Sequence, residues 1–69
     1  MKILLCCGPN EEDNLAALSI LERVPDVRIT RDTAILAGKT LLPYILVLDS
    51  KPRENYHGLE SIREFIESL

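Results

Sequence analysis

One stretch of ten residues, Thr40 to Asp49 (TLLPYILVLD), constrains the fold more than any other part of the chain. Its apolar residues follow one another without alternation, whereas successive side chains of a strand point to opposite faces of a sheet. The pattern therefore predicts a central strand that is buried on both faces. Pro43 stands at the entry of this strand, where its missing N–H costs no ladder bond, and Lys51-Pro52-Arg53 predicts a turn at the far end.

Two further elements precede this strand at the start of the chain. Lys2–Cys7 (KILLCC) is a second unbroken apolar run, which predicts a second central strand. A helix is expected from Asn10 to about Val24, because Asn10 can cap its first N–H groups and Pro25 ends it. Its buried face is predicted from three-residue spacing to consist of Leu15, Leu18, Leu21 and Val24, widened by Ala17 and Ile20.

The other elements complete a small α/β pattern. Val27 to Arg31 alternates polar with apolar residues, which predicts an edge strand, and the strand–helix–strand order places it parallel to the first strand. A short helix is expected over Ala34 to Ala37, and a short returning strand over Glu54 to Tyr56. A final helix follows Gly58, with the apolar stripe Leu59, Ile62, Phe65, Ile66 and Leu69. The order predicts one α/β domain over residues 1–69, with a four-stranded mixed sheet.

Charge and cysteine content disfavour several classes of protein. The net charge of −3 comes from eight basic and eleven acidic residues without a basic run, which disfavours nucleic-acid binding. The longest apolar run is far shorter than the roughly 20 residues of a membrane span, so no membrane association is expected. Adjacent Cys6 and Cys7 cannot link distant segments, so we expect reduced thiols in a cytoplasmic protein. We also expect a monomer.

The order of elements resembles the thioredoxin fold, specifically its glutaredoxin-like branch. Two segments carry the resemblance: Leu42-Pro43 before a buried strand, and Tyr56-His57-Gly58-Leu59-Glu60-Ser61-Ile62 leading into an amphipathic helix. The resemblance covers nearly the whole chain and implies a three-layer sandwich with sheet order 2-1-3-4 and a cis Leu42-Pro43 peptide facing the active site. It also implies thiol–disulfide exchange with protein or glutathione disulfides, with glutathione as a co-substrate and no bound cofactor.

The family's Cys-x-x-Cys motif can be matched to this chain in two registers. In the first, Cys7-Gly8-Pro9-Asn10 resembles the Cys-Gly-Pro-Cys of thioredoxins with Asn in place of the resolving cysteine. Cys7 is then the single catalytic thiol, and an external thiol resolves the mixed disulfide. In the second, Glu11-Glu12-Asp13-Asn14 stands where the motif belongs, and the redox site is lost. The substrate-binding residues implied by the first register are Gly8, Pro9, Asn10, Leu42 and Pro43.

The charges near Cys7 bear on the choice between these registers. The three carboxylates of Glu11–Asp13 oppose formation of a thiolate at Cys7. Lys2 and His57 are the only candidates for an offsetting positive charge. A thiolate at this position therefore depends on a cation that the sequence does not place.

Three other classes of site remain to be compared with a redox thiol. A non-catalytic binding module would pair an extended backbone with the groove beside Leu42-Pro43. A strand that ends in Cys-Gly also resembles the phosphocysteine loop of phosphotransferase-system IIB proteins, but no Ser, Thr, Lys or Arg lies between Cys7 and Asn14 to hold phosphate. A metal site is not expected, because adjacent Cys6 and Cys7 point apart and only His57 could join them.

Overall fold

A computed structural model of the chain describes residues 1–33 and 42–69. In chain order the elements are β1 (Lys2–Cys7), α1 (Glu11–Leu21), β2 (Arg28–Thr33), β3 (Tyr44–Val47), β4 (Glu54–His57) and α2 (Leu59–Glu67). The strands form one mixed sheet in the order β2-β1-β3-β4, which confirms the predicted four-stranded α/β fold and its sheet order. β1 runs parallel to β2 and antiparallel to β3, and β3 runs antiparallel to β4. The short helix predicted over Ala34 to Ala37 and the predicted strand start at Thr40 lie outside the described residues.

Both helices pack on the same face of the sheet and enclose one hydrophobic core. β1 and β3 are central, as their unbroken apolar runs predicted. Fully burying one Leu or Ile side chain contributes about 1.5–3 kcal/mol, so the core between the helices and the sheet is the main source of stability. Its buried members are Ile3, Leu5, Cys7, Ala17, Ile20, Leu21, Ile45 and Ile62.

The start of α1 agrees with its predicted cap, but its end does not agree with the prediction. The Oδ1 atom of Asn10 accepts hydrogen bonds from the backbone N–H groups of Glu12 and Asp13, at 3.0 and 3.3 Å. The last helical residue is Leu21, and turns replace the predicted helical residues up to Val24. The side chain of Asn10 is therefore committed to the helix terminus.

The buried face of α1 includes Ala17, Ile20 and Leu21 as predicted, but it differs from the prediction at Leu15 and Asn14. Three residues turn an α-helix through about 300°, so side chains at three-residue spacing drift by about 60° per step, and the four positions from Leu15 to Val24 spread over about half of the helix circumference. Leu15 is consequently 49% exposed, and the face instead centres on Ala17. The buried residues of α1 are Asn14, Ala17, Ile20 and Leu21.

The remaining elements are close to their predicted positions. β2 continues to Thr33 and β4 to His57, each one or two residues beyond the predicted end. Ile62 of α2 is fully buried, and Leu59, Phe65 and Ile66 pack against the core, which confirms most of the predicted stripe. Neither α1 nor α2, the two helices in the described part of the chain, is long and apolar enough to cross a membrane.

Candidate functional site

Cys7 is the last residue of β1 and lies where the strand meets the loop to α1. Its side chain is on the helix-bearing face, and that of Cys6 is on the opposite face, as expected for adjacent residues of a strand. Both are free thiols. Cys7 is only 8% exposed, but it lines an open cleft of about 360 Å³. The other residues that line this cleft are Gly8, Glu11, Asn14, Arg31, Asp32 and Thr33.

Arg31 brings a positive charge to this thiol. Its Nη2 atom lies 3.6 Å from Cys7 Sγ and 2.9 Å from Glu11 Oε1. The parallel register pairs Cys7 with Thr33 and Leu5 with Arg31. Arg31 therefore lies two residues before the partner of Cys7, and its side chain is on the same face of the sheet. The hydrogen bond to Cys7, followed by the one to Glu11, raises the pKa of Arg31 above its already high usual value.

The cation at the thiol is therefore not one of the two predicted from the sequence. Lys2 lies at the other end of β1, and His57 is stacked on Tyr44 on the opposite face of the sheet, with ring centroids 4.9 Å apart. That prediction was wrong because the cation comes from a strand that follows α1. The alternation in β2 carried the signal, since it places Arg31 on the same face as Ile29.

The predicted cluster of carboxylates around Cys7 is reduced to one residue. Glu11 lines the Cys7 cleft, and its charge is paired with Arg31. Asp13 instead lines a second cleft, beside α2. Of the three predicted carboxylates, only Glu11 therefore lines this cleft, where it shares the guanidinium with the thiol, and Asp32 is the second acidic residue of the lining.

Asn14 fixes the backbone of the loop that follows Cys7. This side chain is 2% exposed; its Oδ1 accepts a hydrogen bond from the Gly8 N–H at 2.9 Å, and its Nδ2 donates to the Gly8 C=O at 3.0 Å. Both polar groups of one peptide segment are therefore satisfied by a single amide. We call this pair of hydrogen bonds the Asn14 clamp.

Gly8 in turn packs against the segment before β3. A Cβ atom built on Gly8 would lie 2.6 Å from the Cβ of Leu42, so only a residue without a side chain permits this approach. The Leu42-Pro43 peptide is cis, as the resemblance implied, and Pro43 is fully buried. The structure thus brings Cys7, Gly8 and Leu42-Pro43 together.

Two of the predicted substrate-binding residues occupy other places. Pro9 is exposed, and the side chain of Asn10 caps α1 instead of facing Cys7. The helix begins at Glu11, so the residues Glu11–Asn14 stand at its start, as the second register of the family motif requires. The capped N–H groups of α1 therefore do not contribute to the surroundings of the thiol.

A second cleft, of about 370 Å³, lies beside Leu42 at the start of α2. The Gly58 N–H donates to the Pro43 C=O at 2.9 Å and holds the end of β4 next to this segment. Gly58 has a φ of 86°, which favours glycine at this turn into the helix. Three carboxylates give the cleft a negative character. The lining residues are Asp13, Leu42, His57, Gly58, Leu59, Glu60, Ser61 and Glu64.

The opposite face of the sheet carries a row of titratable side chains, one from each strand. The register places Asp32, Cys6, Tyr44 and His57 side by side across the four strands. A hydrogen bond with Cys6, followed by burial, raises the pKa of the Tyr44 hydroxyl. The Nδ1 atom of His57 is buried without a partner in the described part of the chain. No group of three or more metal-binding side chains occurs among residues 1–33 and 42–69.

Comparisons of the chain with protein-family models, with curated proteins and with solved structures find no match. The fold and the surroundings of Cys7 are therefore the observations on which a functional proposal rests.

Proposed function

We propose that this domain is a glutaredoxin-like thiol–disulfide oxidoreductase that acts through the single thiol of Cys7. The observation that carries the proposal is the Arg31 guanidinium, 3.6 Å from Cys7 Sγ. A cation at this distance favours the thiolate, which is the nucleophilic form of cysteine. The strand order β2-β1-β3-β4 and the packing of Gly8 on Leu42 support the finer assignment to the thioredoxin-like sandwich.

The proposed reaction has two steps that balance without a further oxidant. The Cys7 thiolate attacks one sulfur of a protein or glutathione disulfide, the S–S bond breaks, and the second sulfur leaves as a thiolate. An external thiolate such as glutathione then attacks the substrate sulfur of the mixed disulfide, and Cys7 leaves as the thiolate beside Arg31. Asn10 supplies no second thiol, and Cys6 points to the other face of β1. One chain with reduced thiols suffices, which fits a monomer in the cytoplasm.

The pH dependence of Cys7 alkylation in a Cys6→Ala variant tests this proposal. Arg31→Gln should slow alkylation at neutral pH by about fivefold, the upper range for an exposed charge pair, because the thiolate loses its cation. Glu11→Gln should instead speed alkylation, because it frees the guanidinium for the thiol. Mass spectrometry identifies the modified residue in each case.

Arg28→Gln is the matched control, because Arg28 lies on the same strand with its side chain on the opposite face. It should leave the pH profile unchanged. Equal rates in the Arg31 and Arg28 variants would refute the role of Arg31. A Cys7 thiol that reacts only after unfolding would refute the redox proposal as a whole.

A non-catalytic binding module is the second candidate, and the start of α1 favours it. The residues at that start are Glu11–Asn14, and the first N–H groups are capped by Asn10 rather than directed at a thiol. The cleft beside Leu42 could then bind an extended, positively charged peptide, because its carboxylates complement such a ligand. In that case Leu42→Glu would abolish binding and Cys7→Ser would be silent. A phosphocysteine carrier would instead show a phosphoryl adduct on Cys7 by mass spectrometry.

A further inference from the structure

β2 is an edge strand, and the direction of its backbone groups limits what can pair with it. The Arg28 N–H donates to the Met1 C=O at 2.9 Å, and Arg28 lies opposite Lys2 in the parallel ladder. In a strand, the N–H and C=O of one residue point to the same side, and the side alternates from residue to residue. Arg28, Thr30 and Asp32 therefore direct their backbone groups towards β1. Ile29 and Arg31 direct theirs outward.

The outward N–H groups on either side of this pair are already occupied. The Val27 N–H donates to the Val24 C=O at 3.3 Å, and the Thr33 N–H donates to Asp32 Oδ1 at 2.8 Å. Between them, the N–H groups of Ile29 and Arg31 have no partner among residues 1–33 and 42–69. Two outward residues separated by one inward residue match the repeat of an antiparallel ladder.

We propose that β2 pairs antiparallel with β2 of a second copy of this chain, in the register centred on Thr30. In this register Ile29 lies opposite the partner's Arg31 and Arg31 opposite the partner's Ile29. The two pairs exchange four backbone hydrogen bonds, and these use the outward N–H groups identified above. Two four-stranded sheets then become one continuous sheet of eight strands.

Charge complementarity selects this register among those that the backbone allows. It places Arg28 opposite the partner's Asp32 twice, on the face of the sheet without α1 and α2. A register centred on Arg31 would place two guanidinium groups opposite each other, and one centred on Ile29 would leave Arg28 opposite a threonine. Opposite charges directly across a ladder stabilise it and like charges destabilise it. Arg28 and Asp32 are both exposed and available for such pairs.

The pairing borders the Cys7 cleft, which Asp32 and Thr33 also line, but it does not rest on the proposed redox function. The Arg31 side chain is on the helix-bearing face, where it keeps its contacts with Cys7 and Glu11. The interface consists of one short strand from each chain. Its buried area is below roughly 1,200 Å², the range of weak, transient complexes. The dimer forms at high protein concentration, and the expected monomer prevails on dilution.

Sedimentation velocity of the full chain from about 10 μM to about 1 mM measures this association. Arg28→Asp and Asp32→Arg each convert two attractive pairs into repulsive ones and should weaken the dimer by about tenfold or more. The double variant Arg28→Asp/Asp32→Arg exchanges the charges and should restore the dimer to within about threefold of the original. Arg53→Asp, with the same charge change in the turn before β4, should have no effect.

A cysteine crosslink tests the register itself, in a Cys6→Ala/Cys7→Ala background. Thr30 lies opposite the partner's Thr30 as a pair without mutual hydrogen bonds, with Cα atoms about 4.5 Å apart, a separation that a disulfide spans. Thr30→Cys should therefore crosslink efficiently in a glutathione redox buffer. Arg28→Cys should not, because position 28 faces position 32.

Three results would overturn the proposal. They are a chain that stays monomeric across the whole concentration range, a charge exchange that fails to restore association, and equal crosslinking at positions 28 and 30. Circular dichroism melting of each variant confirms that a loss of association is not a loss of fold.

Discussion

Replacing Asn14 by leucine removes the Asn14 clamp while keeping the side-chain volume nearly constant. The Gly8 N–H and C=O then lose their partners at 2.9 and 3.0 Å inside a partly buried loop. A buried backbone group left without a partner costs about 1–3 kcal/mol. Because this loop is partly buried, the lower half of that range applies to each group, and we expect a loss of about 2–4 kcal/mol for the two together.

This loss is large for so small a domain. A chain of this length has a free energy of unfolding of about 3–10 kcal/mol. Each kcal/mol shifts the Tm of a domain of 60–100 residues by about 4–8 °C, so Asn14→Leu should lower the Tm by about 8–32 °C. The effect concerns stability alone and does not depend on any activity of Cys7.

Asn14→Asp makes the two hydrogen bonds of the Asn14 clamp depend on pH in different ways. An ionised carboxylate can accept from the Gly8 N–H, but its second oxygen then faces the Gly8 C=O, which is also an acceptor. The protonated form can donate to that carbonyl, so folding should raise the pKa of the introduced carboxyl above its unfolded value of about 3.9. A raised carboxyl pKa means that stability is present at low pH and lost as pH rises through the folded pKa. The cost of Asn14→Asp should therefore be greatest at pH 7 and shrink on acidification towards pH 4.

Urea unfolding followed by circular dichroism, at pH 7 and at pH 4, measures both effects. Asn55→Leu is the control, because Asn55 is an exposed asparagine on β4 and surface changes usually stay within about 0.5 kcal/mol. The reasoning fails if Asn14→Leu unfolds at the same urea concentration as this control. It also fails if the cost of Asn14→Asp is the same at both pH values.

Two further changes probe other parts of the structure. Gly8→Ala places a Cβ atom 2.6 Å from the Cβ of Leu42, so we expect a loss of about 1–3 kcal/mol in urea unfolding, against no change for the exposed Ser19→Ala; an unchanged midpoint would contradict the packing. The backbone N–H of Lys2 is the main cause that lowers the pKa of Asp49, so the charged carboxylate stabilises the fold above about pH 4 and this contribution is lost as pH falls through the folded pKa. Asp49→Asn should therefore lower the Tm at pH 7 and converge with the parent in acid, and a difference that persists in acid would count against this account.

The central part of the fold could be predicted because it depends on local patterns. Unbroken apolar runs identified β1 and β3 as central strands, and the handedness of crossover connections predicted the parallel pairing of β2 with β1. Asn10 gave the start of α1 through the chemistry of its cap. Each inference needed only neighbouring residues or a general rule of chain topology.

The surroundings of Cys7 could not be predicted because they depend on register. Arg31 is 24 residues away in sequence, and its contact with Cys7 exists only because the ladder pairs Leu5 with Arg31. A shift of one residue would have moved the guanidinium to the other face of the sheet. The amphipathic pattern of α1 contained equal ambiguity, since its apolar residues outnumber the positions that face the core. Position relative to the sheet, rather than hydrophobicity, left Leu15 exposed and buried Asn14.

Cys6 and Cys7 are joined by one peptide bond, yet the sheet lies between their two side chains. β1 is hydrogen-bonded on both sides, to β2 and to β3, so their sulfur atoms cannot meet while the strand stays in place. A covalent bond between these two thiols would mean that the centre of the sheet had come apart. An intramolecular Cys6–Cys7 disulfide identified in a purified sample would therefore mark chains whose central strand has opened at some point.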